Sequence, residues 1–336
     1  MMRIQRLGRS GLKVSELCIG TMLFGGATEE PEARRILDEA ADVGVNFIDT
    51  ADSYAGGKSE EMVGRLIREK RSEWVLATKF ANPLGKGPNG GGTSRKWLMQ
   101  ACEASLKRLG TDHIDIYYLH KEDHTTPLEE TVRALADLQR EGKIRYFGVS
   151  NYRSWRVAEI CRIADSLNID RPIVSQPYYN LVNRMPETEQ LPACNHFGLG
   201  VFPYSPIARG VLTGKYKPGA DPGPGSRAAR GDKRMMETEW RQESLQVAAK
   251  MAKRAVEAGI TPGQFATAWV LNNSLITGLV AGPRTIEQWR DYAGAVSYKF
   301  TEEDEIFCDE LVAAGHPSTP GFNDPAYPIE GRVPRS

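Results

Sequence analysis

Asn46-Phe47-Ile48-Asp49-Thr50-Ala51-Asp52-Ser53-Tyr54 runs from a short apolar strand into a polar loop. The strand, Val45 to Ile48, is followed by Asp49, and Tyr54 lies five residues beyond Asp49. Two later segments end on one polar group in the same way. Trp74-Val75-Leu76-Ala77-Thr78-Lys79 ends on a Lys, and Ile114-Asp115-Ile116-Tyr117-Tyr118-Leu119-His120 ends on a His. Strands this short and this apolar are buried on both faces, as in a parallel sheet. As parallel neighbours, they would bring Asp49, Tyr54, Lys79 and His120 to one rim.

Outward from these strands, a helical pattern follows each one. Residues 3–16 form a predicted hairpin with a Gly-Arg-Ser-Gly turn at 8–11, and Leu17–Gly20 is the first buried strand. Helices are expected over Pro31–Val43, from Ser59 as N-cap to Glu69, over 94–108 with Ser94 as N-cap, and over 127–141 with Pro127 near the start. Strand Arg145–Val149, helix 154–166, strand Ile173–Gln176, a weaker helical stretch at 187–196 and strand Gly200–Tyr204 come next. A long Gly/Pro-rich, basic loop then spans 205–240. Helices at 241–258 and 262–272, strand Thr277–Ala281 and a helix from Thr285 complete the pattern. Repeated βα units of this number argue for a closed (β/α)8 TIM barrel. A dinucleotide-binding open sheet would carry G-x-G-x-x-G at the first turn, and Leu17–Gly26 reads LCIGTMLFGG instead. The expected organisation is one domain over 1–336, with the N-terminal hairpin, a barrel over about 17–298 and a C-terminal extension over about 299–336 whose Pro- and Gly-rich end is irregular.

In such barrels the chemistry sits at the C-terminal strand ends. Asp49, Lys79, His120, Asn151, Gln176, Ser205 and Gly282 all fall there, and the 205–240 loop leaves from the same rim. The first three, with Tyr54, have a chemical logic. A phenol is a poor acid at pH 7, with a reference pKa of about 10. An ammonium beside it favours the phenolate, and a carboxylate keeps that ammonium charged and in place. A nearby imidazole can hydrogen-bond a substrate oxygen. Together they make a proton donor aimed at a carbonyl, which is half of a reduction. The hydride must come from a nicotinamide cofactor, because no side chain supplies one. Taken singly, Asp49 also fits a strand-end turn former, Tyr54 a surface aromatic and His120 a core His. Lys79 is the odd one, because a buried Lys needs a partner.

Composition narrows the class. The 336 residues hold 43 Lys plus Arg against 43 Asp plus Glu, so the basic excess of a nucleic-acid binder is missing. No apolar run approaches the roughly 20 residues of a membrane span, and Met1–Arg6 lacks the apolar core of a signal peptide. The five Cys have no CxxC spacing, which suits reduced thiols and a cytoplasmic location. His113, His124, His196 and His316 have no metal-ligand spacing, so no metal is expected. Gly85–Gly92 and Gly210–Lys215 do not match a P-loop.

Eight segments, in order, resemble the aldo-keto reductases over nearly the whole chain: RLGRSGLKVS, FIDTADSY, LATKF, SLKRLGTDHIDIYYLH, GKIRYFGVSN, SQPYYN, PYSPIARGVLTGKY and GPRTIEQW. The likeness is greatest to bacterial reductases related to the potassium channel β-subunits, which share the segment at Ser226-Arg227-Ala228. The resemblance implies an NADPH-dependent reduction of an aldehyde or ketone, with Tyr54 as proton donor, Lys79 lowering its pKa, Asp49 paired to the Lys and His120 orienting the carbonyl. It implies that Ser150, Asn151 and Gln176 hold the nicotinamide carboxamide and that Tyr204 stacks on the ring. Gly20, Thr21, Met22 and Asp49 would lie beside the cofactor. Ser205, Pro206, Ile207, Arg209, Gly210 and Leu212 would line the pyrophosphate, and Gly282 would also bind the cofactor. Lys215, Arg227 and Arg284 would contact phosphates, a 2′-phosphate included, and Gln288 and Asp291 would lie near the adenosine. Two departures stand out. Tyr292 occupies a position that is usually Asn, and Arg284 one that is often Ser or Lys; Arg suits a phosphate and favours NADPH over NADH. The substrate walls would be Met22, Leu23, Phe24, Phe80, Asn82 and Tyr178 with the 205–240 loop and the tail, around Tyr54 and His120, although these positions equally suit rim packing. A small-molecule carbonyl is the expected partner, with a homo-oligomer open. The alternative is a noncatalytic, NADPH-sensing regulatory subunit, as in the channel β-subunits, where the position of His120 is typically Asn.

Overall fold

The computed structural model describes residues 2–223 and 225–329; residues 330–336 of the expected C-terminal extension lie outside the described residues. Along the chain run β1 (Ile4–Arg6), β2 (Lys13–Ser15), β3 (Leu17–Gly20), α1 (Glu30–Asp42), β4 (Phe47–Asp49), α2 (Lys58–Ile67), β5 (Val75–Phe80) and α3 (Arg95–Leu109). Then come β6 (Ile114–Leu119), α4 (Leu128–Arg140), β7 (Ile144–Ser150), α5 (Ser154–Leu167), β8 (Val174–Gln176), α6 (Gln190–Phe197) and β9 (Gly200–Val201). The last elements are α7 (Lys233–Thr238), α8 (Gln242–Glu257), α9 (Pro262–Asn272), β10 (Leu279–Ala281), α10 (Ile286–Ala295) and α11 (Glu302–Leu311). The described residues divide into two compact units. The first runs up to Tyr178 and takes up Glu189–Tyr204 and Asn273–Ala293; the second consists of Tyr179–Thr188, Ser205–Asn272 and the chain from Gly294 onward.

The first unit contains eight parallel strands among its described residues, in the order β10-β3-β4-β5-β6-β7-β8-β9. The ends of this row meet. Thr277 N donates to Val201 O at 3.0 Å and Val280 N to Pro203 O at 2.9 Å, so the sheet closes on itself. The fold is the (β/α)8 TIM barrel, with the N-terminal hairpin of β1 and β2 as a separate two-stranded sheet. Strand β9 is shorter than expected because Pro203 has no N–H to offer a neighbour, although its carbonyl still accepts.

Side chains alternate along a strand, so each barrel strand sends every second residue inward. The buried core contains Cys18, Phe47, Val75, Ala77, Ile116, Tyr118, Val174, Phe202 and Val280. Phe47 and Phe202 meet edge-on, with ring centroids 5.1 Å apart. Leu7 and Val14 of the hairpin segment join the same core. The turn at Gly8 makes this possible. Its φ is +53°, and a Cβ there would lie 2.5 Å from the Ile173 carbonyl oxygen and 2.6 Å from that of Gly198. Only glycine permits both the left-handed backbone and the close approach.

The expected helix starts hold in part. Ser94 caps α3 by accepting from Trp97 N at 3.4 Å. Ser59 is not the cap of α2; Gly57 is, with a left-handed backbone. The Ser59 hydroxyl instead donates to Thr21 O at 2.8 Å and lies 3.0 Å from Thr50 Oγ1, so tertiary partners displaced the cap.

In the second unit the expected 205–240 loop contains local structure. A 3₁₀ turn over Ala208–Thr213 packs on α8 and α9. Helix α7 starts at Asp232, whose side chain accepts from Met235 N at 2.9 Å. Arg184 holds the C-terminal end of α11 through Asp309 Oδ1 at 2.6 Å and the Val312 carbonyl at 2.7 Å.

Candidate active site

The inward parity of the strands decides which side chains reach the rim. Two residues beyond Phe47 is Asp49, beyond Ala77 is Lys79, beyond Tyr118 is His120, beyond Val174 is Gln176 and beyond Phe202 is Tyr204. Each therefore continues an inward-facing row at a C-terminal strand end. Strand register brings the rows together: Asp49 pairs with Gly20 and Ala77, Lys79 with Tyr118, and Ser150 with Gln176.

Lys79 is fully buried, and its ammonium has three N–H groups. They go to the Asp49 carboxylate, to the Thr50 carbonyl at 2.8 Å and to Tyr54 Oη at 3.1 Å. Burial opposes the charge, but the Asp49 carboxylate and the Tyr54 oxygen outweigh it, and the Lys79 pKa is raised. The second Asp49 oxygen accepts from Gln176 Nε2 at 2.8 Å. Tyr54 is half-buried, and its ring meets the His120 ring edge-on with centroids 5.9 Å apart. Burial, then the charges of Lys79 and Lys121, hold the His120 pKa well below the usual imidazole range. The cluster is thus a fixed ammonium behind a partly open phenol, with a neutral imidazole beside it.

The expected carboxamide-binding groups adjoin this cluster in the first unit. Asn151, at φ +58°, donates to the His120 carbonyl at 2.9 Å and to Ser150 Oγ at 3.0 Å. Ser150 Oγ donates to the Gln176 carbonyl at 2.9 Å, and Tyr204 Oη donates to Asn151 Oδ1 at 2.8 Å. Tyr204 stacks on Tyr178 at 5.6 Å. Thr21 is fully buried and donates to the Asp49 carbonyl at 3.1 Å. Met22 and Gly282 are exposed; Gln288 accepts from Arg284 N at 2.8 Å.

Two expected substrate contacts, Phe80 and Phe24, are fully buried. Phe80 is one residue past Lys79, so it faces away from the inward row; it is fully buried and stacks on Tyr117 at 4.7 Å. Phe24 is also fully buried. Neither presents surface to an opening. Sequence reasoning gave Ser53 and Thr50 no role, yet Thr50 supplies a carbonyl to Lys79 and Ser53 accepts from Asn82. Backbone acceptors leave no signal in residue type, but Ser53 lies next to Tyr54 in the motif itself.

A sequence model of the Aldo/keto reductase family matches residues 16–313. The chain belongs to this family. It is 39% identical, over 88% of this chain and 91% of the relative, to a probable voltage-gated potassium channel subunit beta of Arabidopsis thaliana. It is 38% identical, over 88% and 92%, to the uncharacterized oxidoreductase YrpG of Bacillus subtilis. It is 32% identical, over 94% and 93%, to an L-glyceraldehyde 3-phosphate reductase of Escherichia coli K12.

In this aldo/keto reductase the expected phosphate contacts differ in their partners. Within the second unit, Arg209 bonds both Glu239 oxygens at 3.1 Å, and Arg227 donates to Asp232 at 2.9 Å. Lys215, in the same unit, makes no ion pair among the described residues and lies 5.0 Å over the Tyr216 ring. Ser205, Ala208, Arg209 and Gly210 all have positive φ, so the start of this loop holds a left-handed backbone. Pro206, Gly210 and Leu212 are buried, and Ile207 is half-buried. Arg284, in the first unit, is half-buried with no ion-pair partner among the described residues, and Asp291 is half-buried. Among the described residues no helix is long and apolar enough to cross a membrane, and no group of three or more His, Cys, Asp or Glu is placed to hold a metal ion.

Asp52, within the motif, is 2% exposed, and both its carboxylate oxygens lack a hydrogen-bond partner among the described residues. Burial, with the nearby Glu60 charge, pushes its pKa up to about 7. An unfolded Asp loses its proton near pH 4, at about 3.9. Between these values the folded state binds more protons, so this group costs stability as pH rises toward 7. Asp52→Asn should therefore stabilise the protein by roughly 1–3 kcal/mol at pH 8, with the gain shrinking toward pH 4. Urea unfolding at the two pH values checks this.

Proposed function

We propose that the chain reversibly reduces an aldehyde or ketone to an alcohol with NADPH, and that Tyr54 donates the proton. The observation that carries this reading is the Lys79 ammonium, fully buried, neutralised by Asp49 and hydrogen-bonded to a half-exposed phenol. A positive charge at a phenol oxygen favours the phenolate, so the proton leaves more readily toward a carbonyl gaining negative charge. A neutral His120 beside it hydrogen-bonds the same oxygen without competing for the proton. After proton transfer, the phenolate rests against Lys79, and reprotonation from solvent restores the acid. In the oxidation direction the same phenolate accepts the alcohol proton.

The nicotinamide cofactor, when bound, supplies the hydride. The residues present fit it. Ser150 offers a hydroxyl and Asn151 and Gln176 offer amides beside the acid, and Tyr204 offers an aromatic ring. Arg284 is a cation with no carboxylate partner among the described residues, which leaves its guanidinium available to a phosphate. We assign phosphate contacts to Lys215 and Arg227 from their own unit as well. The name of the E. coli relative supports an aldehyde as the substrate class.

The second reading, a noncatalytic NADPH-sensing subunit, draws on the Arabidopsis relative's name. The acid–ammonium–imidazole set argues against it, because sensing a cofactor needs no proton donor. Fluorescence titration tests the cofactor assignment. NADPH should bind at least about tenfold more tightly than NADH, equivalent to about 1.4 kcal/mol, and Arg284→Ala should remove most of that difference. Equal affinities in the wild type would overturn the phosphate assignment.

A further inference from the structure

Asn82 lies three residues past Lys79, in the loop that follows β5. Its Nδ2 donates to Ser53 Oγ at 3.2 Å and lies 3.1 Å from His120 Nδ1. An amide nitrogen has N–H groups but no lone pair to offer. His120 Nδ1 must therefore be the acceptor in this pair. A neutral imidazole that accepts at Nδ1 carries its proton on Nε2. Ser53 takes the other Asn82 proton, so the amide plane is held at two points, and the ring plane of His120 is held with it. The His120 backbone is fixed too, by its N donating to Phe80 O at 2.9 Å and its carbonyl accepting from Asn151.

We infer that Asn82 is a positioning residue that sets the tautomer of His120, leaving Nε2–H free to donate to the substrate oxygen beside Tyr54. This rests on the reductase reading above. The opposite tautomer would turn a bare nitrogen lone pair toward the carbonyl oxygen, which repels it. The role is distinct from packing, because a side chain of equal size with the wrong hydrogen-bonding sense would fill the same space and undo it. Asn82→Asp is that side chain. A carboxylate only accepts, so it draws the ring proton to Nδ1.

The test is nitrogen NMR of protein labelled at its histidine rings, read above pH 8 without cofactor or substrate. His120 is one of five His, and its signals are assigned by their loss in His120→Asn. The wild type should show a protonated Nε2 and a bare Nδ1. Asn82→Asp should show a protonated Nδ1. Asn82→Leu, the fallback should the charge prevent folding, should show a mixture. In turnover, Asn82→Asp should lower kcat/KM for an aldehyde about 100-fold, the scale of losing one donor to a developing oxyanion, while NADPH affinity changes less than about threefold. A wild-type ring protonated at Nδ1, or a ring unmoved by both substitutions, overturns the inference and leaves the reductase reading intact. A ring that follows Asn82 in a protein without reductase turnover separates the two: the tautomer control stands, and the substrate role falls with the reductase reading.

Discussion

Tyr54→Phe is expected to lower turnover of any aldehyde by about 10³-fold, within the 10²–10⁴ range for losing a general acid, while NADPH affinity stays within a few-fold of the wild type. The substitution removes one oxygen and nothing else. Phe keeps the ring that meets His120 edge-on, and Lys79 keeps its bonds to Asp49 and the Thr50 carbonyl. Stability should change little, because the bond lost to Lys79 lies at a half-buried position. The loss should appear in kcat and kcat/KM alike, since the proton transfer is made only in the transition state. A variant that kept a tenth of wild-type turnover would remove Tyr54 as the acid.

Lys79→Met should abolish turnover and also destabilise the fold by about 3–5 kcal/mol, the cost of leaving one charge of a buried pair uncompensated. Asp49 would keep only the Gln176 amide, and the Thr50 carbonyl would lose its donor. The second substitution Asp49→Asn, made in the Lys79→Met background, should recover most of the stability and none of the activity. That separation distinguishes a charge pair built for chemistry from one that only holds the barrel together. The pH dependence has a definite sign. The folded Lys79 pKa is raised, so the pair contributes fully below the free-lysine value of about 10.4 and is lost only as pH rises through the folded value. Urea midpoints of the wild type and both variants, at neutral and alkaline pH, measure this.

The rim was legible because the segments 45–49, 74–79 and 114–120 are mostly apolar and each runs into one polar group, Asp49, Lys79 or His120. The same alternation that placed Lys79 turns Phe80 away from the rim. An aromatic beside the acid looks like a pocket wall, but one residue of offset turns it to the other face, onto Tyr117. Ser59 shows a local rule losing to tertiary partners. It has the composition of an N-cap, yet Thr21 and Thr50, from other elements, hold its hydroxyl. The bond from Gln176 to Asp49 joins residues 127 apart in sequence, and no local pattern encodes it. The family resemblance put Arg209 beside the pyrophosphate; its partner Glu239, thirty residues on, was invisible without the fold. The short helix α7 was missed inside the expected 205–240 loop, although Asp232 before Lys-Arg-Met-Met is a capping residue ahead of helix formers.

The most direct measurement is the loss of reduced-nicotinamide absorbance when purified protein and NADPH meet a panel of aldehydes and ketones that includes an activated aromatic aldehyde. The account predicts consumption matched by alcohol formed, faster with NADPH than with NADH, and abolished by Tyr54→Phe. Tight NADPH binding with no consumption across the panel would contradict it, and would leave the cofactor-sensing subunit as the function.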